Sequence, residues 1–204
     1  MKKSAEKRER ALGMKLFLKG DRCSSPKCAM VRRPNRPGIH GARRRRALSE
    51  YGDQLLEKQR VKVSYGLREA QLSKIVKSAM KRTGTVSEII VSELERQLSN
   101  AVFRVGLTSS RVIARQLINH GHFLVNGKNV SSPSFAVKVG DVISVKPSSQ
   151  KLLIFDNLSN KLKKYDPAEW LYLDKDKMEG RVISLPKDAE IPFDISLVVD
   201  YYSK

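Results

Sequence analysis

Thr108-Ser109-Ser110-Arg111-Val112-Ile113-Ala114-Arg115-Gln116-Leu117-Ile118-Asn119-His120-Gly121-His122 is the stretch whose reading decides the fold, and Phe123-Leu124-Val125-Asn126-Gly127-Lys128-Asn129-Val130 completes it. Ser109 stands where a helix cap belongs. Ile113, Ala114, Leu117 and Ile118 follow at the spacings of one helical face, and Gly121 supplies the stop. Arg111 and Arg115 fall four apart on the other side, one turn from each other. After the apolar run from His122 to Val125, Asn126-Gly127 is the dipeptide best suited to the two positive φ angles of a tight hairpin turn. A second hairpin is expected around Gly140-Asp141, between Phe135-Ala136-Val137 and Val142-Ile143-Ser144-Val145.

Upstream, the helical signals are regular. Leu48 to Gly66 reads as a helix opened by Ser49, with Leu55, Leu56 and Val63 on its apolar side. Leu72, Ile75, Val76, Ala79 and Met80 give the cleanest 3.6-residue period in the chain, with Gly84 as the stop. Thr85-Val86-Ser87-Glu88 has the form of a capping box, opening a third helix with Ile89, Ile90, Leu94 and Leu98 inward. Downstream, Leu152, Leu153, Leu158 and Leu162 suggest a further helix. Trp170-Leu171-Tyr172-Leu173 and Gly180-Arg181-Val182-Ile183-Ser184-Leu185 alternate as strands do, and Pro186 and Pro192 break the chain before Ile195 to Tyr202.

Charge narrows the function class. The 204 residues carry 40 Lys plus Arg against 21 Asp plus Glu, a formal net charge of +19. Residues 1–50 hold sixteen of those bases and four acids, so +12 lies in the first quarter. Such an excess calls for a polyanion, either nucleic acid or an anionic membrane surface. No apolar run approaches the ~20 residues of a membrane span. No secretory leader is expected either, and Glu6 and Glu9 argue against an acid-poor transit peptide. Up to Gly41 there is little periodicity, which predicts irregular structure that orders on a partner. Arg32, Arg33, Arg36 and the run Arg43-Arg44-Arg45-Arg46 are placed to track backbone phosphates without reading bases. Cys23 and Cys28 have a spacing allowed in zinc sites but form only half a tetrahedral shell; His40 could be a third ligand, and no fourth soft ligand stands nearby.

From Ser110 to Gly127 the pattern Ser-Arg-x-x-Ala-Arg-Gln-Leu-x-x-x-Gly-His-x-x-Val-Asn-Gly resembles the RNA-binding module named after ribosomal protein S4. The likeness extends through Lys15 to Cys23, Pro37-Gly38-Ile39-His40-Gly41, Tyr51 to Val61, and the ending Leu197-Val198-Val199-Asp200-Tyr201-Tyr202-Ser203. It implies an α+β protein in three parts. These are a basic irregular arm (1–47), a helical domain (48–92) joined by the C-terminal segment 193–204, and the RNA-binding domain (93–192) with short helices packed on small hairpins.

The resemblance also implies a non-enzymatic component of the small ribosomal subunit, in a bacterial cytoplasm or an organelle. It would bind the 5′ domain of the 16S-type ribosomal RNA early in assembly. It would lie beside the fifth small-subunit protein, near the path by which messenger RNA enters, and tune decoding accuracy. No membrane, small-molecule substrate or cofactor is implied. The expected RNA contacts are Arg22, Lys27, Arg32, Arg33, Arg36 and Arg43 to Arg46 in the arm, with Ser110, Arg111, Arg115, His120, His122, Asn126 and Lys128 in the module. Some family members hold zinc through an additional Cys pair, but Glu6 and Glu9 occupy those positions here, so no metal is expected. Where the family shows Arg-Leu-Asp, this chain has Gln97-Leu98-Ser99, which puts an ion pair or RNA contact there in doubt.

Two other readings use the same module. An RNA-modifying enzyme would need a catalytic domain, yet no phosphate-cradling glycine loop or nucleophile elbow is present. His120 and His122 are expected to contact RNA or pack locally, and Asp174, Asp176 and Glu179 read as a solvated turn. A stress-type ribosomal-RNA binder would need neither the segment from Gly20 to Gly41 nor the C-terminal ending, and both are present.

Overall fold

The computed structural model describes residues 4–43, 47–155, 158–163, 165–175, 177–186, 189 and 191–203. Two units result. One comprises the described residues up to Ile90 together with those after 190; the other spans Val91–Ala189.

In the first unit the N-terminal segment is helical. Ser4 caps α1 (Ala5–Leu12) by accepting the Lys7 amide, and Gly13 ends it in the left-handed region. Two single turns follow, α2 (Asp21–Ser24) and α3 (Ala29–Arg32). The arm expected as irregular over 1–47 thus carries three short helices joined by turns, and its described residues belong to the same unit as the helices after it. What folds it is a small apolar knot of Leu12, Leu16 and Leu18, with Cys23 and Cys28 also buried. The knot is fixed by a carboxylate. Glu9 is buried, and its Oε1 accepts the amides of Leu16 (3.2 Å) and Leu18 (3.0 Å). Arg60 then donates from Nε and Nη2 to the Leu12 carbonyl, tying the end of α1 to α4 (Glu50–Ser64).

Ser49 caps α4 as expected, its Oγ accepting the Gly52 amide at 3.2 Å. The inward face differs from expectation. Leu55, Leu56 and Val63 are half-buried, and the buried positions are Gln54, Glu57, Lys58, Val61 and Ser64. The reason is the C-terminal helix α10 (Ile195–Ser203), which packs on α4 and brings two tyrosines to it. Lys58 Nζ lies 4.1 Å from the centre of the Tyr201 ring and donates to Glu69 Oε1 at 2.8 Å. Tyr202 donates its hydroxyl to the same oxygen at 2.7 Å, and Lys62 donates to Oε2 at 2.8 Å. Glu69 opens α5 (Glu69–Ala79), whose Leu72, Val76 and Ala79 are fully buried. Burial of a Leu or Val side chain there stabilises by ~1.5–3 kcal/mol. α5 ends before Gly84, and residues 81–85 are exposed.

The second unit begins within α6 (Val86–Glu95) and continues with α7 (Leu98–Arg104) and α8 (Arg111–Asn119). Its sheet contains β1 (Phe123–Val125), β2 (Lys128–Asn129), β3 (Val142–Val145), β4 (Leu171–Asp174) and β5 (Glu179–Val182). The strand order is β2-β1-β3-β5-β4, with every pairing antiparallel. Phe123, Val125, Ile143, Val145, Leu171, Leu173 and Val182 point to one core with Leu98, Val102, Ala114 and Ile118 of the helices. The approach is close. A Cβ on Gly180 would lie 2.6 Å from the Val105 side chain, so only glycine lets β5 pass there.

The turn at Asn126-Gly127 forms with φ of 51° and 75°, as the dipeptide demands. The second expected hairpin does not. Residues 135–137 pair instead with the chain entering α7: Leu98 N donates to Phe135 O (2.8 Å), and Val137 N to Arg96 O (2.9 Å). β3 therefore finds its partners in β1 and β5. The helix expected from Leu152 begins only at Leu158, as α9 (Leu158–Lys163), and Leu152, Leu153 and Ile154 are exposed.

The Glu69 clamp carries a pH signature. Burial opposes ionisation, but hydrogen bonds from Lys58, Lys62 and Tyr202 outweigh it and lower the carboxyl from 4.5 to about 2. The folded state therefore holds this proton less tightly than the unfolded chain. Its stabilisation is complete above about pH 5 and disappears as pH falls through about 2. Glu69→Gln is expected to lower the thermal midpoint at pH 7 and to narrow its gap from the parent as pH falls towards 2. A gap independent of pH over that window would refute the clamp.

Candidate nucleic-acid interface

Residue 110, not 109, starts α8. Ser110 is fully buried; its Oγ accepts the Ile113 amide at 3.3 Å and its carbonyl accepts the Ala114 amide at 2.9 Å. Both the cap expected at Ser109 and the RNA contact expected at Ser110 are corrected, because a buried capping hydroxyl has no surface to offer.

Capping fixes the rotation of α8, and the rotation separates its two arginines. Arg111 turns back towards the protein. Its Nε donates to Asn100 Oδ1 at 2.6 Å, its Nη2 lies 3.9 Å from Glu95 Oε1, and its guanidinium sits 4.7 Å from the centre of the Phe103 ring. Glu95 is a fully buried carboxylate. Arg104 grips it bidentately, Nε to Oε2 at 2.9 Å and Nη2 to Oε1 at 3.2 Å, and Asn100 Nδ2 donates to Oε2 at 2.9 Å. A buried charge is tolerable only when surrounded in this way. Arg111, expected as an RNA contact, thus belongs to this network and keeps about a sixth of its side chain in solvent. The sequence signal was Glu95 itself, the acid in the otherwise uncharged inward face of α6.

Arg115 remains half-exposed on α8, next to the exposed Gln116, Asn119 and His120. Gly121 (φ 74°) ends the helix, and a Cβ there would lie 3.1 Å from Asn129 Nδ2. The end of α8 and the β1–β2 hairpin are thus neighbours, with Lys128 exposed on the hairpin. Two expected contacts are occupied. Asn126 locks the hairpin to β3, its Nδ2 donating to Asp141 Oδ1 (2.8 Å) while its Oδ1 accepts the Val142 amide (2.9 Å). His122 is half-buried and hydrogen-bonded through Nδ1 to Ser149 Oγ at 2.9 Å, with its ring stacked 6.1 Å from that of His120. Arg115, His120 and Lys128 offer solvent two cations and an aromatic ring, and Asn126 is exposed as well.

In the first unit, Lys27, Arg32, Arg33 and Arg43 are exposed and Arg36 is half-buried. Arg22 pairs with Glu6 at 3.1 Å with about half its side chain in solvent. Arg44, Arg45, Arg46 and Asp176 lie outside the described residues. The loop over 34–41 is shaped rigidly: Arg10 donates to the carbonyls of Asn35 (2.8 Å) and Arg36 (3.4 Å). A Cβ on Gly41 would fall 1.8 Å from the Arg36 oxygen, so no other residue fits. Burial pushes the Cys23 thiol up, and both cysteines are core residues. Among the described residues no three His, Cys, Asp or Glu side chains are grouped to hold a metal. Asp174 accepts the Lys177 amide at 3.1 Å in its turn. A basic surface not foreseen from the sequence lies along α5 and just beyond its end, where Lys74, Lys77 and Lys81 line an open cavity of about 520 Å³. Their spacing opposite the apolar stripe was its signal.

Fold and surface define a basic α+β protein built on a helix-and-hairpin module, with a helical unit completed by both chain termini. Among the described residues no helix is long and apolar enough to cross a membrane. Residues 1–96 match the family described as Ribosomal protein S4/S9 N-terminal domain, and residues 96–143 match the S4 domain. The chain is 48% identical over 194 residues to Small ribosomal subunit protein uS4 of Caldicellulosiruptor saccharolyticus, covering 94% of this chain and 93% of the relative. Proteins of the same name from Halothermothrix orenii and Syntrophomonas wolfei subsp. wolfei are 46% and 43% identical, each with the same coverage. The chain belongs to the ribosomal protein S4 family.

The two arginines of α8 are expected to behave differently when reversed. Arg111→Glu sets a carboxylate against buried Glu95 and should cost about 3 kcal/mol or more, whereas Arg115→Glu should stay within about 0.5 kcal/mol of the parent. Urea denaturation of the two single variants separates them. Equal stability would mean that Arg111 is not part of the buried network.

Proposed function

We propose that this chain is a structural, non-enzymatic component of the small ribosomal subunit that binds its ribosomal RNA. The observation that carries this is similarity to small-subunit proteins named uS4 along 94% of the chain. The family match over residues 1–96 takes in the N-terminal helices as well as the start of the portable module. An enzyme or a stress-type binder that borrowed the module alone would not share them.

Within this reading, Arg115, His120 and Lys128 form the RNA-facing set of the second unit. Phosphates meet the two cations, and the wide, shallow minor groove of A-form RNA, lined with 2′-hydroxyls, suits a rigid helix end beside a hairpin. The exposed Lys27, Arg32, Arg33 and Arg43 of the first unit add backbone contacts that set affinity without reading sequence. The finer placement follows from the family resemblance: the 5′ domain of the RNA, early in assembly, beside the fifth small-subunit protein and near the messenger path, with an influence on decoding accuracy. The ribosome of the cytoplasm is its location on this reading.

Binding of the full chain to a folded 5′-domain fragment of 16S-type ribosomal RNA tests the proposal. Arg115→Glu with Lys128→Glu should weaken binding at least tenfold. It should also flatten the slope of log K against log salt by roughly one to two, as two phosphate contacts are lost. Duplex DNA of equal length should bind more weakly than the RNA. An unchanged affinity and slope would move the RNA surface off this set.

A further inference from the structure

We propose that Phe17 is a stacking platform for an unpaired nucleobase, presented by a strained turn of the first unit. Two observations carry this. The ring is 46% exposed although it stands between Leu16 and Leu18, which are buried at 6% and 5%. Its backbone lies in the left-handed region, with φ of 55°. A bulky residue adopts that conformation only where its surroundings impose it, and such strain gathers at functional positions.

The imposing group is Glu9. Its one oxygen accepts the amides on both sides of Phe17, those of Leu16 and Leu18, and the turn is closed by Gly20 N donating to Phe17 O at 3.2 Å. Both leucines are held inward, and the residue between them must point out. The fold thus has an apolar knot beside this ring and does not bury the ring in it.

The surroundings select the occupant. The Lys15 ammonium sits over the Phe17 ring, 4.9 Å from its centre, Lys19 is exposed in the same turn, and Arg22, paired with Glu6 and half in solvent, lies just beyond it. An aromatic face flanked by cations suits a base stacked on the ring with its phosphate neutralised alongside. A protein partner would find a lone ring among like charges, a poor apolar anchor. A splayed single-stranded loop or bulge of RNA offers both parts, and that is the ligand class inferred.

This inference rests on the RNA-binding reading above, so its test uses the same full chain and the same folded 5′-domain fragment. Phe17→Trp should bind within about twofold of the parent, and the emission of its added exposed indole should be quenched on binding; Trp170 is buried and present in both proteins. Phe17→Leu, which keeps the apolar bulk and the strained backbone but removes the π-face, should bind about tenfold more weakly, the scale of one lost base stack. Phe17→Gly should bind as weakly, yet melt no lower than the parent, because glycine relieves the left-handed strain. A drop in the midpoint of Phe17→Gly would assign the ring to packing and overturn the proposal. So would full affinity of Phe17→Leu, or an indole that RNA leaves unquenched. If those results came with an Arg115→Glu, Lys128→Glu chain that still loses affinity, the platform alone would be rejected. If the parent failed to bind the fragment, the RNA reading beneath it would fall as well.

Discussion

Burial of the Glu95 carboxylate is the constraint on which the second unit depends. A negative charge with no access to solvent must be matched by directed donors, and the chain supplies them from Asn100 and Arg104 on α7, with the Arg111 guanidinium of α8 held 3.9 Å away through Asn100. Asn100 has two roles, donating to Glu95 and accepting from Arg111. Three helices are therefore fixed to one acid. Fully satisfied networks of this kind specify one arrangement, while removal of a single member leaves charge stranded in low dielectric.

The functional surface follows from that arrangement. With Arg111 drawn inward and Ser110 buried as the cap, the rotation of α8 is set, and Arg115 is carried to the solvent side with His120 at the helix end. Asn126 performs a similar service for the hairpin by tying it to β3, which positions Lys128. In the first unit the same logic recurs with different residues. Glu9 shapes the turn at Phe17, and Glu69 gathers Lys58, Lys62 and Tyr202 so that the C-terminal helix is fastened to α4. Three acids in a chain of net charge +19 thus act as internal anchors, and the surplus bases are left for a polyanion.

What could be read from the sequence was local. The period of Leu72, Val76 and Ala79 gave α5, and Asn126-Gly127 gave its turn, since both follow from backbone geometry over a few residues. What escaped was set by distant partners. Phe135-Ala136-Val137 reads as extended, but nothing in it names its partner, which is the chain before α7. Leu55 and Leu56 outranked Gln54 and Lys58 on hydrophobicity, but Tyr201 and Tyr202 from the far end of the chain reversed that order. The N-terminal helices were hidden because their knot is held by Glu9 and Arg60, charged residues that composition assigns to the surface. At the candidate site, His120 and Lys128 are exposed and Arg115 half-exposed. Ser110, Arg111, His122 and Asn126 match the same motif and also make hydrogen bonds within the protein, which a motif does not reveal; of these Asn126 is still exposed.

A double-mutant cycle between Glu95 and Arg104, measured by urea denaturation of the full chain, tests the central claim most directly. Glu95→Gln and Arg104→Gln should each cost about 3 kcal/mol or more, because each strands the other's charge. Together they should cost less than the sum by at least about 1.5 kcal/mol, the mark of residues in one network. Small single effects that add within about 0.5 kcal/mol would contradict the account, and would mean that the helices of the second unit are oriented by their apolar core alone.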